Sequence, residues 1–322
     1  MLTAQLPDQE SFRPPFAKSF AGHQTFAFRY FWLKKGVDLV CSDSESFQRD
    51  DAVMRLGVGK NMVQSIRHWC LVTRVLEEEP KTRSRGLRPT DFGRRLLNDE
   101  GWDPFLEDDA TLWLIHWNLA SIGTRATTWY WGFNRFHEYA FTRATMVELL
   151  IRDLQALGWS DVSHSTIKRD VDCFVHTYLS PRGDKEHIDA TIECPLSNLG
   201  ILIQEPDSER LRFKTGPKTT LPAAVFAYAL AQFWDKRNNK GKALELREIM
   251  RSEGSPGLIF KLDQESMLGY LDALKNVTSG YMIFQDTPLV RRVIRPTEVA
   301  CNPISFLFNV TVSFMVTFSL NN

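Results

Sequence analysis

The stretch DDAVMRLGVGKNMVQSIRHWC, Asp50 to Cys70, starts an amphipathic helix, breaks it with Gly57-Val58-Gly59 and resumes it at once. Asp51 to Leu56 reads as a short helix with Val53, Met54 and Leu56 apolar. Gly57 suits the left-handed residue that ends a helix, because it has no Cβ to clash. From Lys60 a second helix carries Met62, Val63, Ile66, Trp69 and Cys70 at the spacing of one buried face. The opposite face presents Lys60, Asn61, Gln64, Ser65, Arg67 and His68. A short helix, a glycine turn and a second helix with donors near its start is the helix-turn-helix layout.

The residues downstream extend that reading. VLEEE reads as a strand, PKTRSRG as a loop, LRPT as a returning strand and TDFGRRLL as a helix with Thr90 at its N-cap. The hairpin is then a wing whose tip and return carry Lys81, Arg83, Arg85 and Arg88. Such cations suit phosphates, while Lys60, Asn61, Gln64, Ser65 and Arg67 offer donors to base edges in a major groove. A winged helix turned to protein contacts would carry the same pattern.

Further along, Gly101 to Tyr139 holds Trp102, Trp113, Trp117, Trp129 and Trp131, with Asp108 or Asp109 placed to cap a helix. Tryptophans can stack on unpaired bases, but at helical spacing they are better accounted for as core. ATMVELLIRDLQALGW and then SDVSHSTIKRDVDCFVHTY, Ser160 to Tyr178, form a second helix-turn-helix candidate. Its stripe is Ile167, Val171, Phe174 and Val175; Ser163, His164, Ser165, Lys168 and Arg169 face out, with Lys168 and Arg169 as a second DNA contact. LPAAVFAYALAQFW, KALELREIMRSEG and SPGLIFKLDQESMLGYLDAL read as three helical stretches of a third unit, the last capped by Asp263, with packing as its role.

The expected fold is therefore mainly α, with tandem winged-helix (helix-turn-helix) modules and small β-hairpin wings. Residues 1–139 would hold an N-terminal segment, the first winged helix and the aromatic-rich region. Residues 140–220 would hold the second module with its hairpin, and 221–322 a winged-helix-like module with an anomalous apolar tail. That tail, Ile304 to Phe318, is too short and too polar for a membrane helix and reads as a strand or hairpin.

Composition narrows the function classes. The 322 residues are 43% hydrophobic and 24% charged, with Lys plus Arg equal to Asp plus Glu at 39 each. Only local clustering of charge can then point to nucleic acid. Five cysteines with no CxxC pair suit reduced thiols in a cytoplasm, and the N-terminus has no secretory pattern.

No phosphate-binding, dinucleotide-binding or HExxH motif occurs. Asp170 and Asp172, two apart on a helix, point to different sides. Cys173, His176, His187 and Cys194 have the elements of a zinc site, but their gaps fit buried apolar thiols better, so no metal ligands are assigned. FAGHQTFAFRYFWLKKG, Phe20 to Gly36, sets His23 in an aromatic frame, where it could act as general acid or base on a phosphodiester. The plainer alternative is a polar segment docking on the first winged helix.

Taken in order, FAGHQTFAFRYFWLKKG, DDAVMRLGVGKNMVQSIRHW, WDPFLEDDATLWLIHWNLAS, STIKRDVDCFVHTY, CPLSNLGIL and SPGLIFKLDQESMLGYLDAL resemble one bacterial family. It was long catalogued as a domain of unknown function and includes the SspB-like protein of single-stranded DNA phosphorothioation systems. The resemblance runs from Phe20 to Leu274, and after Ser279 the pattern departs from that of the family. It implies a DNA-binding component that nicks duplex DNA, with a divalent metal if nicking holds. The implied partners are double-stranded DNA, a cysteine desulfurase, an ATP-using sulfur-transfer protein and an ATPase, without a membrane; a homo-oligomer is compatible with it. A non-enzymatic winged-helix regulator or recruitment protein, and a protein-interaction scaffold, are the rival readings.

Overall fold

A computed structural model of the chain describes residues 16–80, 86–180, 194–237, 243–296 and 302–307. Within them the protein is mainly helical, with small antiparallel sheets. The first unit opens with α1 (Trp32–Ser42), then α2 (Ala52–Leu56) and α3 (Lys60–Val72). Gly57 ends α2 at φ 66°, and its N–H closes the last turn on the carbonyls of Val53 and Met54. No atom lies within 4 Å of a Cβ built there, so it is the left-handed backbone that asks for glycine. The strands β1 (Leu76–Glu78) and β2 (Leu87–Pro89) pair antiparallel with Glu77 opposite Arg88. Thr90 then caps α4 (Asp91–Leu97), its Oγ1 accepting from the Gly93 N–H at 2.9 Å.

Two helices form the centre. In α5 (Asp109–Ala120), capped by Asp108, every residue from Ala110 to Ala120 is buried, and in α6 (Thr127–Asn134) every residue is buried. Trp113, Trp117, Trp129 and Trp131 are all at most 1% exposed. Three of them also spend their indole N–H internally, on Thr220, Gln232 and Asp153. Each large apolar side chain buried this way is worth about 1.5–3 kcal/mol, so these rings are core and not a stacking platform.

The other two units repeat one strand plan around this centre. In the second, β3 (Ala140–Phe141), α7 (Arg143–Ala156), α8 (His164–Tyr178), β4 (Leu202–Gln204) and β5 (Leu211–Phe213) give the sheet order β3-β5-β4. In the third, α9 (Ala223–Lys236) precedes β6 (Ala243–Glu245), α10 (Leu246–Arg251), α11 (Pro256–Ile259), α12 (Gln264–Val277), β7 (Ile283–Asp286) and β8 (Arg291–Ile294), with the order β6-β8-β7. Both times the first strand adds to the return strand of a later hairpin. This corrects the reading of KALELREIMRSEG as one helix. Its first residues pair with β8, and α10 begins after Glu245, whose N–H bonds the Glu248 carboxylate at 3.0 Å.

The apolar tail is corrected in part. Pro303–Leu307 form a 3-10 helix whose Phe306 and Leu307 are buried, and residues 308–322 lie outside the described residues. Among the described residues no helix is long and apolar enough to cross a membrane.

Candidate nucleic-acid interface

α3 exposes Lys60, Asn61 and Gln64 while Val63, Ile66, Trp69 and Cys70 are buried. Three residues expected on its outer face lie elsewhere. Ser65 is fully buried, and its hydroxyl donates to the His23 carbonyl at 2.9 Å. Arg67 is half-buried and shares one Glu78 oxygen with Arg125, at 3.9 and 3.1 Å. His68 has a buried Nε2 without a partner, and burial, followed by the charges of His23, Arg125 and Arg67, lowers its pKa to about 3.

The hairpin is less basic than its sequence suggests. Arg88 donates through Nε and Nη2 to the Glu77 carboxylate directly across the sheet, each at 2.8 Å. Lys81, Arg83 and Arg85 lie outside the described residues.

On α8, Lys168 and Arg169 are exposed, as Ile167, Val171 and Phe174 turn inward. Arg169 bends back to the Ser165 carbonyl at 3.2 Å. Lys168 lines a cleft of about 580 Å³ together with Arg143, His164 and the carboxylates of Glu148, Asp172 and Glu209. Arg143 and Asp172 pair within it at 3.1 Å.

Between α3 and α8 runs the loop that carries His23. It takes left-handed backbone at Ala21 (φ 61°), Gln24 (φ 50°) and Thr25 (φ 72°), a run that only a dense set of contacts can hold. Asp170, 1% exposed, supplies two of them and ties the loop to α6. Its Oδ1 accepts from the Ala21 N–H at 2.7 Å and from His23 Nε2 at 3.0 Å, and its Oδ2 accepts from Thr128 Oγ1 at 3.0 Å. His23 Nδ1 accepts the Thr25 N–H at 3.0 Å, so the ring proton sits on Nε2 and points at Asp170. A Cβ on residue 22 would lie 2.3 Å from His68 Nδ1, which explains the glycine beside His23.

The acid–base reading of His23 falls on a ring that is built into the core. The ring is 1% exposed and both nitrogens are engaged, Nε2 on Asp170 and Nδ1 on the Thr25 N–H. Its work is to join two helices. Ser65, five residues after the start of α3, and Asp170, six after the start of α8, hold the same residue from either side. The spacing reading of Asp170 and Asp172 as divergent holds: one is buried on His23, the other lies in the cleft.

Cys173 and Cys194 are buried and their thiols pushed up, first of all by desolvation, while His187 lies outside the described residues. Among the described residues no three His, Cys, Asp or Glu side chains converge as a metal ion would need.

Two solved structures resemble this chain closely. One is described as a magnesium ion-bound SspB crystal structure, 28% identical, covering 92% of this chain and 87% of that chain with a TM-score of 0.80. The other, an SspB crystal structure, is 27% identical with the same coverage and TM-score. No curated protein sequence matches. A family model described as "Protein of unknown function (DUF4007)" matches residues 20–308, and so runs on past Ser279, where the sequence alone suggested a departure. Since that match begins at the His23 loop and ends at the short helix against α9, this chain belongs to the DUF4007 family.

Proposed function

We propose that this protein is a DNA-binding component of a bacterial phosphorothioation system, and that the start of α3 enters the major groove of duplex DNA. The observation that carries the reading is the division of α3: Lys60, Asn61 and Gln64 stand in solvent while the rest of the helix is anchored. Amide and amine donors at the start of such a helix are what base edges take. The first unit is read as a winged helix, with α1 to α3 followed by the β1–β2 hairpin. The repeated strand order supports the same reading for the other two units, with Lys168 and Arg169 on α8 as a second phosphate contact. Likeness to SspB supports placing the chain with sulfur-transfer and ATPase partners. It also supports testing magnesium in any nicking reaction, although no residue is assigned to that chemistry.

The rival reading is binding without cleavage, in a regulator or recruitment protein. The internal engagement of His23 favours it.

One experiment tests the groove assignment. Duplex affinity is measured by fluorescence anisotropy between 50 and 200 mM salt, for the wild type and a Lys60→Ala, Asn61→Ala, Gln64→Ala variant. We expect roughly tenfold or greater weakening and a shallower salt dependence in the variant. Equal affinities would remove the proposal. Relaxation of supercoiled plasmid with Mg²⁺ separates nicking from plain binding.

A further inference from the structure

The cleft between α7, α8 and the β4–β5 hairpin has a division of charge that goes beyond the single phosphate contact proposed for Lys168. Its α8 wall offers His164 and Lys168, one turn apart. Its other walls offer Glu148 from α7 and Glu209 from the connection between β4 and β5. Among the described residues none of these four side chains has a hydrogen bond or ion pair. By contrast, Arg143 and Asp172 in the same cleft neutralise each other at 3.1 Å. The rest of the lining is mostly apolar, with Val147, Leu179 and Leu211 beside Thr142 and Gln204.

Inside the cleft a duplex backbone would set its phosphates against Glu148 and Glu209, so a duplex contact by Lys168 stays at the rim. The complementary ligand is amphoteric, with an anion for Lys168 and His164, hydrogen-bond donors for Glu148 and Glu209, and a body that tolerates apolar contact, as a nucleotide has. At about 580 Å³ the space is within the range of small-molecule sites and admits one nucleotide.

We propose that this cleft receives a single unpaired nucleotide, its phosphate on Lys168 and His164, its base between Val147 and Leu211, and its base edge on Glu148 or Glu209. A carboxylate takes the two adjacent N–H groups of guanine together, whereas cytosine and adenine offer one exocyclic amine and thymine a lone imide N–H. Guanine is therefore the preferred base. The proposal rests on the DNA reading above only for the source of the ligand, an unpaired strand; the cleft itself is independent of α3.

The test uses the full chain and fluorescein-labelled dT12 in which one central position is dG, dC, dA or dT, with free dGMP and inorganic phosphate as competitors. The expected order of affinity is dG first, then dC and dA, then dT. Lys168→Ala should weaken all four by about tenfold, the effect of one charge-assisted contact. Glu148→Gln with Glu209→Gln should erase the order while leaving dT12 binding in place. Equal affinity for the four oligonucleotides, or an order that survives the two glutamine substitutions, overturns the proposal. Phosphate competing as well as dGMP also overturns it and leaves a bare anion site. If the α3 triple variant loses duplex binding while the base preference is missing, the cleft assignment alone has failed. If base preference persists but duplex affinity never depended on α3, the groove assignment has failed instead.

Discussion

Asp170 accepts the Nε2–H of His23 at 3.0 Å across 147 residues of sequence, with both residues 1% exposed. The contact joins the N-terminal loop to α8, and the same loop takes the Ser65 hydroxyl from α3. It makes a histidine that looks chemical into a structural tie.

His23→Ala should therefore act on stability. It leaves a buried carboxylate short of a partner, a change that typically costs about 3 kcal/mol or more. Urea unfolding should show a midpoint far below that of the wild type, and Asp170→Ala should show a similar loss. A His23→Ala protein of unchanged stability that fails to nick plasmid would restore the catalytic role and reject the structural one.

Acid should loosen the fold through two other histidines. Burial lowers the pKa of His68 to about 3, and does the same for His116, which bonds the Tyr178 hydroxyl at 2.9 Å and the Ile259 carbonyl at 3.0 Å. Unfolded histidine takes its proton near pH 6.5, so between that pH and about 3 the unfolded chain binds more protons than the folded one. Their contribution is whole above about pH 6.5 and shrinks as pH falls toward 3. Urea midpoints measured from pH 7 down to pH 4 should fall steadily, and His68→Gln should flatten part of that slope. A slope identical in the variant would exclude His68 as a source.

The hairpin makes a prediction of the opposite kind. Glu77 holds Arg88, and Glu78 holds Arg125 and Arg67. Exposed pairs of this type are worth only about 0–1 kcal/mol, so Glu77→Gln with Glu78→Gln should leave stability nearly unchanged. The released cations should raise duplex affinity and steepen its salt dependence by about 0.9 per phosphate gained. An unchanged salt dependence would mean that these arginines do not reach the backbone.

What could be read from the sequence was set by range. The glycine-broken helix pair, the Thr90 and Asp263 caps and the inward stripe of α8 are local patterns, and they lie where spacing puts them. Ser65 misled because a hydroxyl at the border of an apolar stripe looks outward; a carbonyl brought in from residue 23 makes burial cheap. Asp170 could not be matched to His23 by any local period. The strands β3 and β6 are two and three residues long and exist by adding to hairpins that come much later, so alternation had no length in which to appear. One signal was within reach: writing the hairpin in register puts Glu77 opposite Arg88 and predicts their mutual neutralisation.

The His23 tie also has a mechanical meaning. Two helices connected through a long chain would ordinarily find each other's spacing statistically; here two bonds on one residue bridge the interval, and a third, from the Thr25 N–H, holds its ring in place. A duplex that gripped α3 as proposed would find the position of α8 already dictated, a rigid caliper with a preset opening.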